Sequence, residues 1–279
     1  MKYNLHIRYL QGETVEVWNE IIALKERVFT PPFQEDVLQV VNTMVDRIVY
    51  NLELIYTELL AKGYVFDTQG VFNYYEKYHG KPVFFRKSNT DKIDLIVDFL
   101  TKLEPFGAHP LILAELYKKV DIIDFRGHFP DLKSYFSLDP LYLYPIEEII
   151  EWVVRYDTNF DSIKDTNYIV FSPDESIKAD GYGETNYGIT ISDKMVADGD
   201  LVDYGIDITF VEYLRQAFRW AGFSNLEYIA KPKKEPSTQI YYWRGQPPED
   251  PNKWDVSKEI IDYQIIDIAV EIAGKTLLI

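Results

Sequence analysis

From about Gln34 to Lys62, apolar side chains return at three- or four-residue steps: Val37, Val41, Met44, Ile48, Leu52, Ile55 and Leu59. That spacing draws one stripe along an α-helix and fits no strand. Gly63 follows, a residue that ends helices without steric cost. A helix of this length must bury its stripe, so the chain has to build a layered core around it. No apolar run reaches the ~20 residues that a membrane-spanning helix needs. The start, Met1 to His6, also lacks the apolar core of a secretory signal. No membrane partner and a cytoplasmic location are therefore expected.

The other segments mix two periods. Lys2 to Leu10 alternates, with Tyr3, Leu5, Ile7 and Tyr9 on one side, which predicts a strand. Val15 to Phe29 reads as a short helix stopped by Pro31-Pro32. Thr90 to Leu103 reads as a helix with Ile93, Ile96, Val97 and Leu100 turned inward. Pro110 suits a first helical turn, so Leu111 to Lys119 should be helical. Gly70 to Lys87 is aromatic and rich in turn residues and carries no firm assignment. Asp121 to Phe125 and Asp139 to Pro145 read as strands, and Ile146 to Tyr156 as a helix.

A central unit follows, running from Tyr168 to Phe223. Two short apolar runs, Tyr168–Phe171 and Tyr187–Ile191, flank the acidic loop Asp174–Glu184. After a second acidic loop, Phe210, Val211, Leu214, Ala217, Phe218 and Ala221 share one face of a helix. Thr209 is placed to cap that helix and Gly222 to end it. Gln239 to Trp243 reads as a strand between loops at Lys231–Pro236 and Gly245–Asn252. Ser257 to about Gly274 favours a last helix, with a strand at Tyr263–Ile268 as the alternative. Without regular βαβ alternation, the class is α+β, a mixed or antiparallel sheet packed by helices.

The chain of 279 residues carries a formal net charge of −16 and no cysteine. The absent thiols exclude disulfides, cysteine-ligated metal and a cysteine nucleophile. The charge repels a phosphate backbone, so no nucleic-acid partner is expected. It suits a basic protein partner, although solubility alone accounts for a surface of this kind.

Catalytic patterns are missing. There is no Gly-x-Ser-x-Gly, no glycine-rich phosphate cradle and no paired histidines at zinc-protease spacing. Among His6, His79, His109 and His128, only His128 stands where a turn could bring Asp131 or Asp124 to its ring. A loop histidine bonded to backbone is the simpler reading and is preferred. The acids Asp174, Glu175, Asp180 and Glu184 lack the spacing of a calcium loop. No catalytic residue, metal or cofactor is assigned, and an enzyme with a carboxylate or histidine site stays as the alternative. In the last helix of the central unit, Arg215 and Arg219 should pair with surface acids while Trp220 packs inward.

The order of elements between about residues 110 and 222 resembles the SUKH superfamily, which holds bacterial immunity proteins and fungal cell-wall synthesis regulators. The resemblance lies in the proline-led helix Pro110–Tyr117 and the step from strand to helix at Asp139–Glu148. It continues through the strand, acidic loop and strand of Tyr168–Ile191 and the helix opening Phe210-Val211-Glu212-Tyr213-Leu214. Lys118-Lys119-Val120-Asp121 stands where the family often has an asparagine and paired glycines. The resemblance implies a SUKH-like α+β domain over 106–279; residues 1–105 lie outside the common module and are expected, from their own patterning, to form an N-terminal strand and helical region packed on that core. It also implies a non-enzymatic module that binds protein, as an immunity protein neutralising a toxin does. The two acidic loops bracket the strand Tyr187–Ile191. Asp180, Glu184, Asp198, Asp200 and Asp203 are therefore expected to be exposed on one negative face, with Tyr182, Tyr187 and Tyr204 as aromatic anchors.

Overall fold

The computed structural model describes residues 4–67, 83–88, 91–105, 107–132, 138–156, 167–174, 178, 186–229 and 263–279. The long helix is α3, Gln34–Ala61, and its predicted stripe is buried along its whole length. Before it come α1 (Leu5–Leu10), α2 (Thr14–Leu24) and a 3-10 turn at Lys25–Phe29. After it the order is β1 (Val65–Phe66), β2 (Phe85–Lys87), α4 (Asp91–Leu103), α5 (Leu111–Lys119), β3 (Val120–Asp124) and β4 (Gly127–His128). Then come β5 (Tyr142–Leu143), α6 (Ile146–Tyr156), β6 (Tyr168–Pro173), β7 (Asn186–Thr190) and β8 (Leu201–Val202), followed by α7 (Phe210–Arg219), α8 (Leu226–Ile229) and α9 (Tyr263–Ala273).

This is an α+β fold with small antiparallel sheets packed against helices. One sheet has the order β2-β3-β5, another β6-β7-β8, and β1 pairs with β4. Strands β1 and β2, from the first hundred residues, thus pair with strands beyond residue 119. Segment 139–144 stitches the sheets together. Phe125 N–H donates to Leu141 O (2.9 Å), Leu141 N–H to Gly222 O (2.7 Å) and Tyr144 N–H to Phe171 O (2.8 Å).

Helix α7 follows the sequence closely. Its predicted apolar positions are all buried, and the Thr209 side chain accepts a hydrogen bond from Glu212 N–H. Gly222 ends it at φ +90°. A Cβ there would stand 2.8 Å from Phe125 Cδ2, so glycine is needed for space as well as for backbone freedom.

Three sequence expectations need correction. Leu5–Leu10 is a helix, not a strand. Leu5 and Tyr9, four residues apart, are both buried while Ile7 is exposed. The Asp36 carboxylate accepts from the N–H groups of Leu5 (2.7 Å) and His6 (3.1 Å), which satisfies donors that a short helix leaves open. In α4 the inward face is Ile96, Phe99 and Leu103, whereas Ile93 and Val97 are exposed. The strand read over Asp139–Pro145 is confined to Tyr142–Leu143: on one side Leu141 bonds to the turn residue Gly222, and on the other Tyr144 makes a single bond to β6 at Phe171. The strand expected at Gln239–Trp243 lies outside the described residues, while the last helix forms over Tyr263–Ala273.

Replacing Gly222 with alanine combines a left-handed backbone with an overpacked Cβ. It should lower stability by on the order of 2 kcal/mol in urea unfolding. A neutral result would show that the turn can relax around Phe125.

Candidate functional site

Strand β8 is an edge of its sheet. The chain enters it at Asp200, whose N–H donates to Thr190 Oγ1 (3.0 Å), and leaves at Asp203 in a left-handed turn. The turn closes when Leu201 N–H donates to Ile208 O (2.8 Å). Asp200 and Asp203 flank this edge strand, Asp193 and Asp207 lie in the loops before and after it, and all four are exposed with no cation paired to them among the described residues. The neighbouring Lys194 turns instead to Glu26 (3.4 Å). Charge on a sheet edge also blocks pairing with a stray strand, which is the plain structural reason for such acids.

Beside this edge lies an open depression of about 460 Å³, lined by Ile22, Lys25, Glu26, Asp193, Lys194 and Asp200 among others. Its polar lining carries both signs. The carboxylate deepest in it, Asp198, is already committed. Trp18 Nε1 donates to it at 3.0 Å and Gly199 N–H at 2.9 Å, and Val211 N–H approaches at 3.4 Å. Asp198 therefore ties α2 to the start of α7. Burial pushes its carboxyl up to about 6, against the downward pull of these donors.

The predicted site residues divide as follows. Asp200 and Asp203 are exposed as expected. Asp198 is not, being buried as a tie between helices rather than offered on a face. Tyr187 is buried too, its ring edge-on to Tyr204 at 4.8 Å. Tyr204 is half-buried and packs against Tyr213 at 5.1 Å. Both tyrosines are interior packing, because β7 turns its Tyr187 side toward α7. Asp180, Tyr182 and Glu184 lie outside the described residues.

What sequence reading missed is a buried polar array behind β7. Lys178 Nζ meets Asp139 Oδ1 at 2.7 Å, and both side chains are wholly buried. The same ammonium lies 4.8 Å from the Tyr187 ring and donates to Tyr213 OH at 3.3 Å. Asp139 holds φ at +47°, unusual for a non-glycine residue. Burial raises its carboxyl above the usual range, opposed by Lys178. On the other side of β5, Arg126 forks onto Asp124 with bonds of 2.8 and 2.7 Å and lies over the Tyr142 ring at 4.3 Å. Burial and the nearby Glu148 charge lift Tyr142 well above its ordinary pKa.

The only hint in sequence was a lysine set among acids between Asp174 and Asp180. No periodic pattern marks it. Because Asp124 is turned to Arg126 and His128 sits exposed on β4, the suggested pairing of His128 with Asp124 does not form. His109 is buried, with Nδ1 3.0 Å from Pro110 O, and burial pushes it down to about 4, so it stays neutral. Arg215 pairs with Glu212 and Arg219 with Glu227, which also accepts from Trp220 Nε1 at 2.6 Å. Among the described residues, no group of three metal-ligating side chains is placed to hold a metal ion. No helix among them is long and apolar enough to cross a membrane. Compared with known protein families, curated proteins and solved structures, the chain matches none.

Two outcomes follow from these buried charges. Lys178→Met leaves Asp139 buried without its cation and should cost about 3–5 kcal/mol in urea unfolding. Adding Asp139→Leu should recover most of that loss; no recovery would mean that the pair positions its neighbours as well. For Asp198 the sign runs the other way from a paired surface acid. A carboxyl raised above its unfolded value stabilises the fold at low pH, and that stabilisation fades as pH climbs through about 6. The stability of the native protein relative to Asp198→Asn should therefore fall by about 2 kcal/mol between pH 4 and pH 7. A pH-independent difference would place the Asp198 carboxyl in the ordinary range.

Proposed function

We propose that this protein is a binding module of the SUKH type that captures a basic protein, acting in the cytoplasm as an immunity protein neutralises a toxin. The observation that carries the binding step is the set of exposed carboxylates on and around the edge strand β8, with Asp200 and Asp203 at its two ends and Asp193 and Asp207 in the loops beside it, unpaired among the described residues. Strand β8 fixes the spacing of Asp200 and Asp203. They stand three residues apart, about 10 Å of extended chain at about 3.3 Å per residue, which is on the order of one Debye length. Their fields add, and a net charge of −16 extends the attraction beyond contact. The toxin-neutralising role rests on the resemblance of residues 110–222 to the superfamily and on nothing in the site itself. Catalysis has less support, since Asp198, the buried acid of the depression, is occupied by Trp18 and by the backbone N–H groups of Gly199 and Val211.

The test begins with the gene's neighbours, because an immunity protein is usually encoded beside its toxin. Association of a basic neighbour product with this chain is measured by stopped-flow across a range of salt. The quadruple variant Asp193→Asn, Asp200→Asn, Asp203→Asn and Asp207→Asn should fold normally, since exposed changes cost under about half a kcal/mol each. At low salt it should associate about tenfold more slowly, and the difference should shrink as salt rises. An unchanged association rate in the folded variant would remove this edge as the docking site. Indifference of the native protein to salt would remove the electrostatic reading altogether.

A further inference from the structure

Asn51 is a fully buried amide in the middle of the apolar stripe of α3, and its partner is a stretch of peptide backbone. Its Nδ2 donates to Leu277 O at 2.8 Å, and Leu277 N–H donates to its Oδ1 at 2.7 Å. A side-chain amide bonded in this way stands in for a neighbouring β-strand, offering one donor and one acceptor to one residue of an extended chain. One turn earlier on the same face, Arg47 donates to Leu278 O at 2.9 Å. From α7, Arg215 Nε donates to Ile279 O at 2.8 Å. Residues Leu277 to Ile279 belong to no helix or strand, and they run antiparallel to α3 as Lys275 pairs with Glu58, Leu277 with Asn51 and Leu278 with Arg47.

The division between backbone and side chains is the informative part. Leu277 and Leu278 turn their side chains outward, at 45% and 74% exposure, so neither is what the groove reads. Ile279 alone is buried, at 4%. The groove thus holds three consecutive carbonyls and one N–H and fills one apolar pocket. That is how a peptide site recognises an extended segment without reading most of its sequence.

We infer that the groove between α3 and α7 is a peptide-binding site, occupied in cis by residues Leu277–Ile279. Its ligand class is an extended peptide with an aliphatic residue at the Ile279 position. The bound segment acts as a strap that keeps other peptides out. This site is separate from the acidic edge and does not depend on the function proposed for it.

The test releases residues Leu277–Ile279 and offers the same segment in trans. In the full chain, Leu277→Pro deletes the N–H that Asn51 accepts, and Ile279→Asp independently empties the apolar pocket. Both should leave α9 in place, and amide exchange over the released segment should quicken about tenfold or more. A fluorescein-labelled peptide spanning Gly274–Ile279 should then bind each released chain saturably and the native chain at least about tenfold more weakly. Adding Asn51→Asp, which keeps the acceptor but cannot donate to the peptide carbonyl, should weaken peptide binding about tenfold again. The inference is overturned if released chains do not take up the peptide or if Asn51→Asp leaves uptake unchanged. Equal uptake by the native chain would overturn it too, since the peptide would then be bound elsewhere.

Discussion

The ion pair between Lys178 and Asp139 is the contact on which the arrangement of the sheets depends. Asp139 opens the segment that bonds in turn to β3, to the end of α7 and to β6. Its carbonyl also accepts from Ser224 N–H at 3.2 Å, which fixes the chain leaving α7. Lys178 comes from the stretch joining β6 to β7 and lies under the rings of Tyr187 and Tyr213. One buried pair therefore sets three separate segments against each other. Taking both charges out of water is expensive, and it is tolerable only because tyrosine faces and hydroxyls replace the lost solvent. An apolar pair would pack as well but would not dictate which residue faces which.

The same logic recurs where the helical layer meets the rest. Asn51 interrupts the apolar stripe of α3 and Asp198 anchors the side of α2 through Trp18. Each is a polar group in a place where packing alone would accept a hydrophobic residue. A stripe of valine, isoleucine and leucine can slide by a turn at little cost; a buried amide or carboxylate cannot, because a slip leaves it without a partner. In this protein the apolar residues supply cohesion and a few buried polar ones supply register.

That division also decides what was legible in the sequence. Helix α3 and helix α7 could be read because their apolar spacing matches one period over several turns, and Thr209 and Gly222 mark the ends of α7. Leu5–Leu10 could not: six residues satisfy both periods, and the deciding group, Asp36, lies thirty residues away in sequence. Likewise the tie between Trp18 and Asp198 spans a sequence separation of 180. Aspartates in a loop look alike in sequence whether they face water or a helix terminus. Of the acids placed on the negative face, Asp200 and Asp203 were rightly expected to be exposed, whereas Asp198 was not. Tyr187 was misplaced for a related reason, since a tyrosine beside acidic loops carries no mark of the lysine beneath its ring.

Asp198 and Asp200 show how finely the site is divided. They are two residues apart, yet one is surrounded by donors from Trp18, Gly199 and Val211 while the other stands in water beside Thr190. The buried carboxylate cannot answer to a partner, because its lone pairs are already taken and its desolvation has already been offset within the fold. The exposed ones keep their hydration and face the solvent, where a partner can meet them. Holding Asp198 inside also fixes Gly199, whose carbonyl accepts from Phe210 N–H at 2.9 Å and sets where the outgoing strand begins. The interior carboxylate thus positions Asp200, and through β8 Asp203, without contributing to the surface potential it helps to shape.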